Sequence, residues 1–347
     1  MGNKNALIGI GVLILVAGLA FYFFLSSSAP DPEDQLVIYS TIDPEDFEYL
    51  RQAFNSKYPD VEITYVQDRP GNIYTRIVTE KDAGQPTSDV VIITLPLQMS
   101  LQDEGLLELY RSPENGAYPD VFKDPNGFWV ATSLLPVVQV YNTDLISSEE
   151  IAKTIDELID PKWKGTTLTH DITLGTTGTN WLGSFKTVLG EEQFTKLIEG
   201  LAYNVQPVRE RSFSGTPRMV GQGEYGIGLT AYMHDLISNK ANGAPLEMFQ
   251  VEELPIGTTL LPVSLVSEAR HPIAAKLFID FILSEEGQTV LGNIEVRIAA
   301  RPGITATYTL ETVLPGKTPE DLLIFPNDDA RQNLESFIEL FTELFGG

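Results

Sequence analysis

The chain reads as a two-lobed α/β protein, each lobe a mixed sheet flanked by helices, preceded by one N-terminal transmembrane helix. Three observations predict this. Strand-like and helix-like patterns alternate in two series, one before Tyr141 and one after it. At 347 residues, 43% of them hydrophobic, the chain is too long for one ordinary core and too apolar to be disordered. Residues 6–25 form a continuous uncharged, apolar run.

That run of 20 residues, at about 1.5 Å per helical residue, spans a hydrocarbon core of about 30 Å. Lys4 precedes it, whereas Asp31, Glu33 and Asp34 follow. The positive-inside bias places residues 1–5 in the cytoplasm and the body outside. A cleaved signal is the alternative, with small residues at 26–29, but the run is longer than the usual core of about 7–15 residues. Residues 26–35, rich in Ser, Pro and acids, read as a linker.

In the first series Leu36-Val-Ile-Tyr39 is a short apolar strand. Asp43-Pro44-Glu45-Asp46 supplies a cap, a first-turn proline and first-turn acids, so a helix starts there. Phe47, Leu50 and Phe54 share its buried face, and Val61, Ile63 and Tyr65 alternate as the next strand. Residues 88–94 read as a strand buried on both faces, followed by a helix through Leu106. The second series has a strand at 166–169, the loop Gly175-Thr-Thr-Gly-Thr179, and a helix whose Trp181, Phe185, Val188 and Leu189 share a face. Helices are also expected over 272–291 and 329–345. The apolar stripe of the last one docks on its own domain or forms a partner surface.

Composition excludes several classes. With 48 acidic and 23 basic residues the net charge is −25, and a nucleic-acid backbone finds too few cations to bind. The absence of cysteine removes disulfides, thiol catalysis and thiolate metal sites. His170, His234 and His271 have no spacing that builds a metal site, and no HExxH or nucleophile elbow occurs. Neither enzyme chemistry nor a cofactor is expected.

Several segments, read in order, carry a family likeness. They include Val37-Ile-Tyr-Ser-Thr41, Ala53-Phe-Asn-Ser-Lys-Tyr-Pro59, Glu104-Gly-Leu-Leu107, Val140-Tyr-Asn-Thr-Asp144, Asp160-Pro-Lys-Trp-Lys-Gly165, Gly223-Glu-Tyr-Gly-Ile-Gly228, Phe278-Ile-Asp-Phe-Ile-Leu-Ser-Glu-Glu-Gly-Gln288 and Arg301-Pro-Gly303. Together they resemble the ferric-iron-type group of ABC-transporter solute-binding proteins, with the type II periplasmic-binding fold. The resemblance implies lobe 1 from residues 36–133 and 260–305, lobe 2 from 134–259, and a helical extension at 306–347. It further implies two crossing segments as a hinge, a small solute between the lobes, an ABC permease and ATPase as partners, and a monomer. A ferric-iron carrier or a ligand-sensing ectodomain of the same fold is the alternative.

In such folds ligands sit beyond the carboxyl ends of strands, where helix N-termini offer unpaired N–H groups. The candidates are accordingly Ser40 and Thr41 after the first strand, Thr94 after the strand at 88–94, and Ser133 on the crossing. Thr176, Thr177 and Thr179 open the helix of the second lobe, and Arg211, Ser212 and Ser214 precede Pro217. Tyr232 and His234 stand where the iron-binding relatives place an adjacent tyrosine pair. A single tyrosine there weakens the case for ferric iron, a hard cation that needs several oxygen donors.

Overall fold

The computed structural model describes residues 34–172, 175–294 and 296–346. The expected transmembrane run at 6–25 lies outside them; no described helix is long and apolar enough to cross a membrane.

Strands β1 (Gln35–Ser40), β2 (Glu62–Gln67) and β3 (Val90–Ile92) form a parallel set with β1 in the centre. β4 is Leu107–Glu108. Two long strands follow in the assembly, β5 (Val130–Asn142) and β10 (Ile256–Val266), buried along their whole length. Two-sided burial fits their mostly apolar sequences, with Thr132, Ser133, Gln139 and Asn142 of β5 and Thr258, Thr259 and Ser264 of β10 as buried polar exceptions. β6 (Thr167–His170), β7 (Val208–Glu210), β8 (Ile227–Tyr232) and β9 (Leu246–Phe249) belong to the second lobe, while β11 (Ile298–Ala299) and β12 (Leu322–Ile324) come last. The principal path of the sheet is β2-β1-β3-β10-β5-β8-β6-β7. β10 is antiparallel to β3 and to β5, and β5 is antiparallel to β8, so these two strands carry the chain between the lobes.

The largest buried cluster centres on lobe 1 and reaches across the crossing strands to Val220, Met233 and Leu246, and a second one lies within lobe 2. In lobe 1 the Pro44–Lys57 helix inserts Phe54 edge-on against Phe278 and Phe281, with ring centroids 5.4 and 5.6 Å apart. In lobe 2 Trp181 meets Phe185 edge-on at 5.3 Å, and Phe194 meets Phe337 at 5.9 Å.

Two expected helices are each divided. The segment 272–291 breaks at Ser284, whose backbone is extended (φ −66°, ψ 165°) and whose hydroxyl caps the Glu285–Asn293 helix through Gly287 N–H. Close packing holds this joint: a β-carbon at Gly287 would lie 2.1 Å from the carbonyl oxygen of Phe281. The segment 329–345 likewise divides into Asp328–Gln332 and Leu334–Phe345.

The C-terminal segment adds a third crossing to the two expected. Leu314 is buried in the lobe 1 core, β12 pairs in parallel with residues 256–258 of β10, and Phe325, Ala330, Phe337 and Phe341 are buried in the lobe 2 core. Asn327 fixes the entry by donating to the Ser184 carbonyl (3.1 Å) and the Thr187 hydroxyl (2.9 Å). The apolar stripe of the last helix therefore docks within its own chain.

Candidate functional site

Between the lobes lies a cavity of about 720 Å³ whose floor is β5 at Ser133, Leu134 and Leu135. Lobe 1 contributes Asp43, Glu45, Asp46 and Arg297, and lobe 2 contributes Ser214, His234, Asp235 and Ser238.

The lobe 1 wall follows from the β1-to-helix turn. Ser40 is fully buried, and its hydroxyl accepts from Ile42 N–H at 3.1 Å, while the Tyr65 hydroxyl donates to the Ile42 carbonyl. This turn presents Asp43 as the helix cap, with Glu45 and Asp46 in the first turn, where carboxylates complement the positive end of the helix dipole. Arg297 reaches Asp46 at 3.5 Å. It follows Val296, a β-branched residue held at φ 62°, a costly left-handed conformation at the cavity wall.

On the floor, Thr132 donates to the Leu261 carbonyl at 2.7 Å, but Ser133 is completely buried and its hydroxyl oxygen has no hydrogen-bond partner. An orphaned polar group of this kind costs about 1–3 kcal/mol unless something in the cavity satisfies it.

In the lobe 2 wall His234 lines the cavity, and behind it three further rings from separate segments continue a stack. His170 at the end of β6 lies on Phe213 (4.2 Å), Phe213 on Tyr232 (4.8 Å), and Tyr232 on His234 (5.1 Å). Asp235 completes the wall. Its Oδ2 is buried without a hydrogen-bond partner and lies 3.8 Å from His234 Nε2. Burial pushes the His234 pKa down, against the pull of the Asp235 charge and with help from Arg297, so the ring is neutral at pH 7. Burial, reinforced by Asp235, raises the Tyr232 phenol above its ordinary value, and it keeps its proton.

The sequence candidates divide by position. Ser133, Ser214 and His234 line the cavity together, and Tyr232 backs His234. Ser40 and Thr179 are buried with their hydroxyls in turn contacts, Thr179 donating to the Ile172 carbonyl at 2.7 Å. Thr41, Thr94 and Thr177 are part-buried outside the cavity lining, and Arg211 and Ser212 are solvent-exposed outside it. The Thr176 side chain is outside the described set. Sequence reasoning missed Asp235 and Arg297 and treated Asp43, Glu45 and Asp46 as helix-capping residues alone; only this acidic turn carried a local signal. Among the described residues no three His, Asp or Glu side chains cluster closely enough to hold a metal ion.

The depressed His234 pKa sets a pH dependence. The unfolded chain takes up this proton near pH 6.5, above the pKa of the folded form, so the contribution to stability is complete above that value and declines as pH falls from about 6.5 toward the lowered folded pKa. Urea unfolding between pH 8 and pH 5 should show this decline, and His234→Gln should remove it. An unchanged profile in the variant would assign the decline to other groups.

Residues 85–307 match the model of a family described as bacterial extracellular solute-binding protein. An uncharacterized protein of Haemophilus influenzae is 29% identical over 294 residues, 82% of each chain. The structure of the periplasmic binding protein AfuA from Actinobacillus pleuropneumoniae, with fructose-6-phosphate bound, is 26% identical with a TM-score of 0.69, covering 90% of this chain and 98% of that one. Iron-bound HitA from Pseudomonas aeruginosa has a TM-score of 0.70 over 89% of this chain and 99% of its own, and at 19% identity it shares the fold.

Proposed function

For a chain that belongs to the bacterial extracellular solute-binding protein family, we propose the role of receptor for an ABC importer, with a polyhydroxylated organic solute carrying an anionic group as its cargo. The observation that carries this reading is Ser133, a fully buried hydroxyl without a partner on the floor of the interlobe cavity. A solute hydroxyl or phosphoryl oxygen would satisfy it.

The remaining lining supports the same class. The unpartnered Asp235 oxygen suits a hydroxyl donor, as do Asp43 and Glu45, whereas Arg297 is the cationic group that an anionic end can approach. A small bare anion would face four carboxylates, Asp43, Glu45, Asp46 and Asp235, against that one guanidinium. The fructose-6-phosphate held by AfuA is a solute of the proposed kind. Ferric iron suits the cavity less well, because the adjacent tyrosine pair of the iron-type resemblance is reduced here to Tyr232 alone, followed by Met233 and His234.

Transport follows from two-lobe geometry. A solute touching Ser133, Arg297 and Asp235 together binds the closed arrangement better than the open one, and this differential affinity drives closure. The permease would then read the closed pair of lobe surfaces. Calorimetry with a sugar-phosphate panel tests the site: Ser133→Ala should weaken binding roughly 3- to 10-fold, the value of one neutral hydrogen bond, while Tyr232→Phe changes little. A visible tyrosinate-to-iron charge-transfer band that disappears in Tyr232→Phe would contradict this reading and restore iron.

The body is extracytoplasmic in this scheme, tethered by residues 6–25. Full-length protein should fractionate with membranes, and a chain beginning at Pro30 should be soluble and monomeric. A mature N-terminus mapped by mass spectrometry to Ser28, Ala29 or Pro30 would replace the tether with a cleaved signal.

A further inference from the structure

A second cavity, of about 350 Å³, opens where the Leu95–Asp103 helix of lobe 1, the Gly175–Ser184 helix of lobe 2 and the C-terminal segment 326–334 meet. It shares no lining residue with the cavity described above. Its polar lining is Ser100, Asp103, Asn180, Asp328, Arg331 and Gln332.

Asn180 is the distinctive member. It is 3% exposed, yet its side-chain oxygen has no hydrogen-bond partner. Asparagine is a poor helix-interior residue, and a buried amide oxygen without a donor costs about 1–3 kcal/mol more, so neither helix propensity nor packing accounts for it. A donor placed in the cavity would satisfy it.

The charges narrow the class of that donor. Arg331 is engaged with Asp103 at 2.5 Å, which leaves Asp328 as a further carboxylate and gives an anion no uncommitted cation among the described lining residues. Ferric or divalent ions lack a cluster of ligands among the described residues. Hydroxyl groups match what remains: each both donates and accepts, so a hydroxyl serves either end of the Asn180 carboxamide and also pairs with Ser100, Gln332 or Asp328.

We propose that this cavity is a second binding site, for a small uncharged polyol, separate from the main cleft. Because its walls come from both lobes and from the C-terminal crossing, occupancy there is coupled to the angle between the lobes. By linkage it alters solute affinity in the main cleft as much as that solute alters affinity here.

The chain has no cysteine, so Ser100→Cys places a single thiol on the cavity wall. Maleimide labelling of this full-length variant in membranes should slow roughly tenfold at saturating myo-inositol, with a saturable dependence, and should not respond to inorganic phosphate at matched ionic strength. Adding Asn180→Leu should abolish the protection, and Gln332→Ala, at an exposed rim position, should weaken it without disturbing the fold. Adding Asp235→Ala, in the main cleft, should leave it intact. The proposal falls if protection is absent or rises only linearly with polyol. It also falls if phosphate protects equally, if Asn180→Leu keeps the protection, or if Asp235→Ala removes it, since the thiol would then be reporting main-cleft closure.

Discussion

Asp235→Ala is expected to weaken binding of the cognate solute by roughly 10- to 150-fold, the range for a hydrogen bond to a charged group of about 1.5–3 kcal/mol. The expectation rests on a cavity-lining residue whose carboxylate Oδ2 is buried and has no hydrogen-bond partner of its own. Removing it deletes the acceptor without breaking a hydrogen bond of that oxygen within the fold, so thermal stability should change little. The same change withdraws the charge that pulls the His234 pKa upward, which keeps the imidazole neutral to lower pH. Calorimetry alongside thermal unfolding separates the two effects. Unchanged affinity, or a loss of affinity matched by a comparable loss of stability, would remove Asp235 from the site.

The second large effect concerns the C-terminal crossing. Phe337→Ala should destabilise the fold by about 3–5 kcal/mol, the usual cost of deleting a buried aromatic ring. Phe337 is buried against the Gly183 backbone so tightly that a β-carbon there would sit 2.8 Å from its ring, and it stacks on Phe341 at 5.7 Å while meeting Phe194 edge-on. Urea denaturation measures the loss. A cost below about 1 kcal/mol would mean that the last helix is dispensable to lobe 2 and that its apolar stripe serves a partner.

The sequence was most informative where the deciding interactions are local. Asp43 and Pro44 mark a helix start, Phe47, Leu50 and Phe54 mark its buried face, and the apolar run after Asp89 marks β3, a strand buried along its length. The joint at Ser284 was obscured because apolar periodicity continues across it, and the close approach of Gly287 to the Phe281 carbonyl has no separate sequence signature. The site was less legible for a related reason. Ser133 and His234 were accessible to reasoning about strand ends and crossings, but the ring stack draws on residues 170, 213, 232 and 234, and Arg297 arrives from the far end of the chain. Threonines at strand ends looked equivalent, yet Thr179 turned inward to the Ile172 carbonyl while Arg211 turned out to solvent. Side-chain direction at a turn depends on which elements pack beside it, and that is tertiary information.

The central claim is that a solute bound between the lobes closes them, and a distance measurement tests it most directly. Tyr49 in lobe 1 and Tyr203 in lobe 2 are exposed, and the chain has no cysteine to compete for labels. Spin labels at Tyr49→Cys and Tyr203→Cys report the interlobe distance by pulsed electron resonance. Saturation with a sugar phosphate that binds by calorimetry should shift the distribution to a single narrower population, and adding Asp235→Ala should restore the solute-free distribution at the same solute concentration. A distribution unmoved at saturation would contradict the account.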